Sequence, residues 1–174
     1  MEIKIQTKDQ SLENVRAFHE AFSCHIAPSP QFPELSEHDR TVIASYALEL
    51  ADLGRRLKAG AQLANVGGRP GLGLMLIRLQ LHIEENAELA QAIADEDMVE
   101  ALDAMCDIDF VNNGTWMTLG LAALKQAACQ AVFDSNMSKL GEDGRPIISE
   151  AGRVVKGPKY APPTEALRKL LEQK

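Results

Sequence analysis

Three glutamates, Glu84, Glu85 and Glu88, stand in the run His82-Ile83-Glu84-Glu85-Asn86-Ala87-Glu88. Glu100, Asp103 and Asp107 follow at spacings of three and four. At about 100° per residue in an α-helix, Glu84 and Glu88 lie about 40° apart, and Glu85 and Glu88 about 60° apart. The second acidic set also shares one helix face. Carboxylates converging in one groove repel one another and do not all ionise unaided. A hard cation removes the conflict. Oxygen-only donors, with no Cys or His, favour Mg²⁺, with Mn²⁺ as a substitute, in the carboxylate-and-water coordination used by phosphate-processing sites. A single EExxE is more commonly a solvated helix face. That reading weakens here, because the stretch from Glu84 to Asp109 holds ten acids and no Lys or Arg. On spacing alone, both readings stay open.

A carboxylate–metal site also needs groups for the rest of an anionic substrate, and the bases lie downstream. In Ser135-Asn136-Met137-Ser138-Lys139, Asn136 can donate a hydrogen bond and Lys139 supplies a point charge. From Asn136 to Lys174 there are eight bases and five acids. The bases include Arg145, Arg153, Lys156 and Lys159, and Tyr160 offers a stacking surface for a base. Taken singly, Lys139 reads equally as a cation at a helix C-terminus, and the others as surface charge.

The elements that must position these residues are mostly helical. Leu12, Val15, Phe18 and Phe22 form one stripe of a helix over about 12–22, with Ser11 as N-cap. Pro28, Pro30 and Pro33 mark an extended linker. Ser36 opens a second helix reaching Lys58. Its first turn is acidic (Glu37, Asp39) and its last turn basic (Arg55, Arg56, Lys58), which suits the helix dipole. Gly60 to Gly73 reads as a loop. Further helices are expected over about 74–94, from Asp95-Glu96-Asp97 to Thr118, and over 121–135, with Gly120 as a stop. Ile147-Ile148 against Val154-Val155 suggests a hairpin, and Thr164 to Leu171 a final short helix. The expected class is all-α: a helical bundle of about five helices with a short irregular or hairpin-containing C-terminal tail, in one domain over 1–174. Consecutive helices with a short link pack antiparallel, which brings the two acidic faces together.

Composition narrows the function classes. The 174-residue chain is 45% apolar and 25% charged, a globular composition. Its net charge of −7 argues against a nucleic-acid-polymer surface, and the bases outside the acidic block outnumber the acids, 18 to 15. Met1 to Asn14 carries no signal-peptide core, and no apolar run is long enough to span a bilayer, so no membrane association is expected. Cys24, Cys106 and Cys129 read as reduced thiols of a cytoplasmic protein. The four histidines form no zinc cluster with them.

The ordered set of Glu84-Glu85-x-x-Glu88, Ala101-Leu102-Asp103-Ala104-Met105-Cys106-Asp107, Gly114-Thr115 and Ser135-Asn136-Met137-Ser138-Lys139 resembles the all-α nucleoside triphosphate pyrophosphohydrolases. These include the MazG-like enzymes, the dimeric dUTPases and phosphoribosyl-ATP pyrophosphohydrolase. Phe18-His19-Glu20-Ala21-Phe22 and Gly152-Arg153-Val154-Val155-Lys156-Gly157-Pro158-Lys159-Tyr160 resemble one bacterial and phage branch. The likeness covers roughly 12–26 and 74–163. Residues 36–73 stand as an insertion, and 140–163 as an irregular tail. The resemblance implies a helical bundle that assembles as a homodimer or homotetramer. It also implies Mg²⁺-dependent hydrolysis of a nucleoside triphosphate to the monophosphate and pyrophosphate. By position it makes Glu85, Glu88 and Asp107 metal ligands, gives Glu84 a further metal or the attacking water, and puts Asn136 and Lys139 on the phosphates. The family's ExxD is broken: Ala104 stands three residues before Asp107. Asp103 is the substitute, with Glu100 second. Asp109, Asn112 and Asn113 stand where apolar or aromatic residues are usual, which suggests a more polar interior belonging either to a base-recognition pocket or to a subunit contact.

The expected mechanism is metal-assisted phosphoanhydride hydrolysis. Two or more Mg²⁺ neutralise developing charge, Glu84 accepts a proton from water, and Lys139, Lys156 and Arg153 hold the pyrophosphate end. Two alternatives are weighed beside it. One is a non-catalytic helical module that binds a nucleotide or protein. The other is a di-iron carboxylate bundle, disfavoured because that architecture needs Glu-x-x-His motifs and His82-x-x-Glu85 reverses the order.

Overall fold

The computed structural model describes residues 9–172. They fold as an all-α chain with one two-stranded ribbon. The chain divides into two compact units. One runs from Ala27 to Ala122; the other combines the stretch through Ile26 with that from Ala123 onward.

The first unit holds three helices: α2 (Glu37–Val66), α3 (Pro70–Asp95) and α4 (Met98–Thr118). Ser36 caps α2 as expected, in a reciprocal box. Its hydroxyl accepts from the Asp39 amide at 3.1 Å, and the Asp39 carboxylate accepts from the Ser36 amide at 2.9 Å. The loop expected from Gly60 to Gly73 is not there. Helix α2 runs on to Val66 and α3 opens at Pro70, leaving 67–69 as the connection. The reason is packing. Ala47, Gly54 and Ala61 recur every seven residues on α2 and are buried, and so do Gly73, Gln80, Ala87 and Ala94 on α3. A seven-residue repeat keeps one seam facing a partner helix. Small side chains line the seam: a Cβ on Gly54 would make an ordinary contact with Ile83 Cγ2 at 3.8 Å, and one on Gly60 with Leu76 Cδ1 at 3.5 Å. Glycines that read locally as punctuation are packing positions in a long antiparallel pair. Arg40 and Glu96 close its far end with an ion pair at 2.6 Å. Arg55, Arg56 and Lys58 therefore sit inside α2, and its last turn carries no base.

Glu96, in the left-handed region at φ 55°, ends α3, and the Asp97 side chain caps α4 by accepting from the Val99 and Glu100 amides. Helices α3 and α4 are antiparallel. The Arg78 guanidinium donates to the Val111 carbonyl and to Thr115 Oγ1, and His82 Nε2 lies 2.9 Å from the same hydroxyl. Gly114 leaves room for that guanidinium, since a Cβ there would stand 2.8 Å from Arg78 Nη2.

In the second unit, α1 (Gln10–Phe22) is capped by Asp9 and not by Ser11: the Asp9 carboxylate accepts from the Ser11 amide at 2.8 Å. A 3₁₀ turn, Ala122–Leu124, leads into α5 (Lys125–Met137), so the fifth helix begins and ends later than its sequence suggests. Asn14 Nδ2 donates to Gln130 Oε1 at 3.0 Å between α1 and α5. The expected hairpin forms, with β1 (Ile147–Ile148) antiparallel to β2 (Val154–Val155) and Ile147 opposite Val155. The short α6 (Thr164–Glu172) follows.

The buried apolar set is mostly alanine; Phe22 and Val111 are its larger members among the described residues. Among those residues no helix is long and apolar enough to cross a membrane.

Candidate functional site

The acids converge within the first unit. Measured from α3's buried seam, Glu84 lies at the edge facing α2, Glu85 points toward α4, and Glu88 stands between them. On α4, Glu100, Asp103 and Asp107 flank the packed face that carries the buried Ala101, Ala104 and Val111. The electrostatic result appears on two side chains. Burial pushes the Glu85 carboxyl above its ordinary pKa, and the negative charges of Glu88, Asp107, Glu84 and Asp103 push it further. Glu88 is raised too, first by burial, then by Glu84, Asp107, Asp103 and Glu100. Two helices therefore press one charge onto another. Asp103 acts on both raised glutamates, whereas Glu100 acts on Glu88 alone.

Two hollows adjoin Glu88. One, of about 280 Å³, is lined by the acids Glu88, Asp95, Asp97, Glu100 and Asp103 together with Gln91, Ala92 and Ala104. The other, of about 260 Å³, lies between α2 and α3 and is lined by Arg55, Lys58, Gln80, Glu84 and Glu88 among others. Gln80 is buried, and its amide donates to Glu84 Oε2 at 2.6 Å, which fixes one oxygen of that carboxylate. The sequence pointed to none of Arg55, Lys58 or Gln80 for this site. The signal for Gln80 was a polar residue on an otherwise small-residue seam; for the two bases there was none short of knowing that α2 continues.

The donor set suits a hard cation: it is all oxygen, it has excess negative charge, and its two central members hold their protons more tightly than usual. Among the described residues no three of these groups stand close enough to form a ready-made metal cage. His82, whose ring is engaged with Thr115, sits on the α3–α4 seam.

The downstream residues gather in the second unit. Lys139 Nζ donates to Asn136 Oδ1 at 2.8 Å. The Gly157 amide donates to the Lys139 carbonyl at 3.0 Å, and Ser138 Oγ accepts from the Ala161 amide at 3.0 Å, so the end of α5 and the tail are stitched together. The Lys156 ammonium stands 4.4 Å from the Tyr160 ring centre, a cation–π contact that occupies one face of the ring. Arg153 lies exposed at the hairpin turn, with its amide on Ser149 Oγ. Asp109, Asn112 and Asn113 are all exposed on α4, not enclosed within the single chain.

No protein-family model matches the chain, and no curated protein does. A solved structure does. It is a protein from Exiguobacterium sp. 255-15, provisionally named an NTP pyrophosphohydrolase. It is 22% identical to this chain, covers 96% of each chain and superposes with a TM-score of 0.56. The two chains share a fold. That is the fold expected from the ordered motifs, and the match runs through the 36–73 segment as well, given its coverage.

Proposed function

We propose that this protein is a Mg²⁺-dependent nucleoside triphosphate pyrophosphohydrolase, releasing a nucleoside monophosphate and pyrophosphate. The observation that carries the reading is the gathering of Glu84, Glu85 and Glu88 on α3 with Asp103 and Asp107 on α4, where burial first, and the neighbouring carboxylates after it, raise both Glu85 and Glu88. The shared fold with a protein provisionally named for that activity supports it.

Glu85, Glu88, Asp103 and Asp107 would hold the magnesium, with Glu84 either a further ligand or the base for the attacking water. When bound, magnesium supplies positive charge against the phosphate oxygens. The remaining chemistry belongs to the side chains. Glu84 accepts the proton of the attacking water, and the Gln80 amide at 2.6 Å fixes one of its oxygens while the other stays free to do so. Within the second unit, Asn136, Lys139, Arg153 and Lys156 are groups suited to phosphate oxygens, and Tyr160 offers a stacking face for a base. A second copy of the chain completes the functional particle as a homodimer or homotetramer. Val99, Leu102, Phe110 and Met117 form an exposed apolar stripe along α4, which supports this.

The test is incubation with a panel of NTPs and dNTPs plus Mg²⁺, with pyrophosphate and orthophosphate assayed separately. Pyrophosphate release is expected. Nucleotide binding without turnover would make the chain a binding module.

A further inference from the structure

We propose that Arg55 and Lys58 of α2 form a phosphate-binding subsite that faces Glu84 and Glu88 across the α2–α3 cavity, taking a metal-complexed polyphosphate. The inference rests on the hydrolase reading for its substrate class, but the subsite has its own geometry. The cavity between the two helices is about 260 Å³ and is lined by Arg55, Lys58, Gln80, Glu84 and Glu88 with Ala51, Gly54 and Ala87 as its floor. A cavity of this size has room for a phosphate chain.

The charges are not spent on each other. Among the described residues no ion pair joins Arg55 or Lys58 to Glu84 or Glu88. Arg55 instead meets Asp52 at 3.3 Å, and Asp52 also receives Arg56 at 3.1 Å. Two guanidiniums on one carboxylate leave a net positive charge, and Lys58 adds another. These groups lie on an open flank: Arg55 is 70% exposed. One wall of the cavity is thus cationic and the other anionic. A bare anion meets repulsion from Glu84 and Glu88, and a bare cation meets repulsion from Arg55 and Lys58. A polyphosphate carrying a divalent cation satisfies both walls. Guanidinium and ammonium groups are the two side chains suited to phosphate oxygens, and buried Gln80 already holds Glu84 in place on the opposite wall.

The test is calorimetric titration of the 174-residue chain with inorganic tripolyphosphate, with and without Mg²⁺. Wild type is expected to bind it in a Mg²⁺-dependent manner. The double variant Arg55→Ala/Lys58→Ala should bind at least about ten-fold more weakly. Arg55→Lys/Lys58→Arg should restore most of the affinity. Arg168→Ala, which removes an exposed base paired with Glu165, should bind like wild type. Circular dichroism checks that each variant is folded. No tripolyphosphate binding by wild type, or equal affinity in the folded double variant, overturns the subsite. Binding by wild type together with no pyrophosphate release from any nucleotide removes the hydrolase reading and leaves the subsite standing.

Discussion

Glu85 and Glu88 are carboxylates whose pKa the fold raises, both by burial first and by neighbouring charge second. A carboxyl raised above its unfolded value is held more readily as the neutral acid in the folded chain. The folded state then binds more protons across the carboxylate range, so stability is lost as pH rises through that range. In metal-free protein, Glu88→Gln should therefore melt higher than wild type at pH 7. Solvent screening should hold the difference to about 1–2 °C. The difference should vanish below the ordinary Glu value of 4.5. Added Mg²⁺ should reverse the ranking, because only the wild type gains a ligand. Thermal melts in chelator and in Mg²⁺, at pH 4 and pH 7, decide it; coincident wild-type and Glu88→Gln curves in chelator at pH 7 would remove the repulsion argument. For Glu85→Gln the expectation is a fall in pyrophosphate release of at least about 100-fold with an unchanged circular dichroism spectrum. Wild-type-like turnover in that variant would sink Glu85 as a ligand.

The α2–α3 pair and the α5–tail junction show two uses of glycine. Gly54 is buried on α2, and a Cβ there would meet Ile83 Cγ2 at 3.8 Å, an ordinary contact. Gly54→Ala should stabilise the chain by about 0.5–1 kcal/mol, because it lowers the entropy cost of the helix without a clash. Gly157 is buried beside the end of α5, and a Cβ there would stand 2.1 Å from the Leu140 carbonyl oxygen. Backbone cannot step aside as a flexible side chain can. Gly157→Ala should cost about 2 kcal/mol or more and free the tail from Lys139. Denaturant titration of the two variants measures both. A destabilised Gly54→Ala would mean that the α2–α3 seam is tighter than its geometry indicates. The seam also explains why the helix ends were misplaced from sequence. Propensity made Gly60 and Gly67-Gly68 a break, whereas the seven-residue recurrence of small residues carried α2 to Val66.

For a chain of 174 residues the buried set is light: Phe22, Val111 and alanines, among the described residues, with no large side chain fully enclosed. Meanwhile Phe110 is 77% exposed and lies in line with Val99, Leu102 and Met117, one stripe along the whole of α4. Leu12 and Val15 on α1 and Tyr46 on α2 are exposed as well, although periodicity places Leu12 and Val15 on an apolar stripe. Apolar surface of this extent is expected to be covered by another copy. Light scattering after gel filtration should give a dimer or tetramer, and Phe110→Asp should weaken the assembly by at least about ten-fold in dissociation constant. The melting temperature of wild type should rise with protein concentration. A monomer at high concentration would remove the assembly.

The acidic faces, the all-α class, the Ser36 cap, the hairpin register and the antiparallel α3–α4 link were legible in the sequence, because each depends on spacing along one helix or one turn. The acids could be found as a set since 3.6-residue periodicity projects them onto common faces without any knowledge of neighbours. What tertiary structure decided is which groups stand opposite them. Arg55 and Lys58 read as the basic end of a helix that seemed to stop; the close α2–α3 seam extends that helix past them and turns them toward Glu84 and Glu88. The polar character of Asp109, Asn112 and Asn113 was plain, but whether it lay inside or outside was not, since that depends on which face of α4 the other helices cover. Local periodicity fixes the faces of a helix; only packing fixes what each face meets.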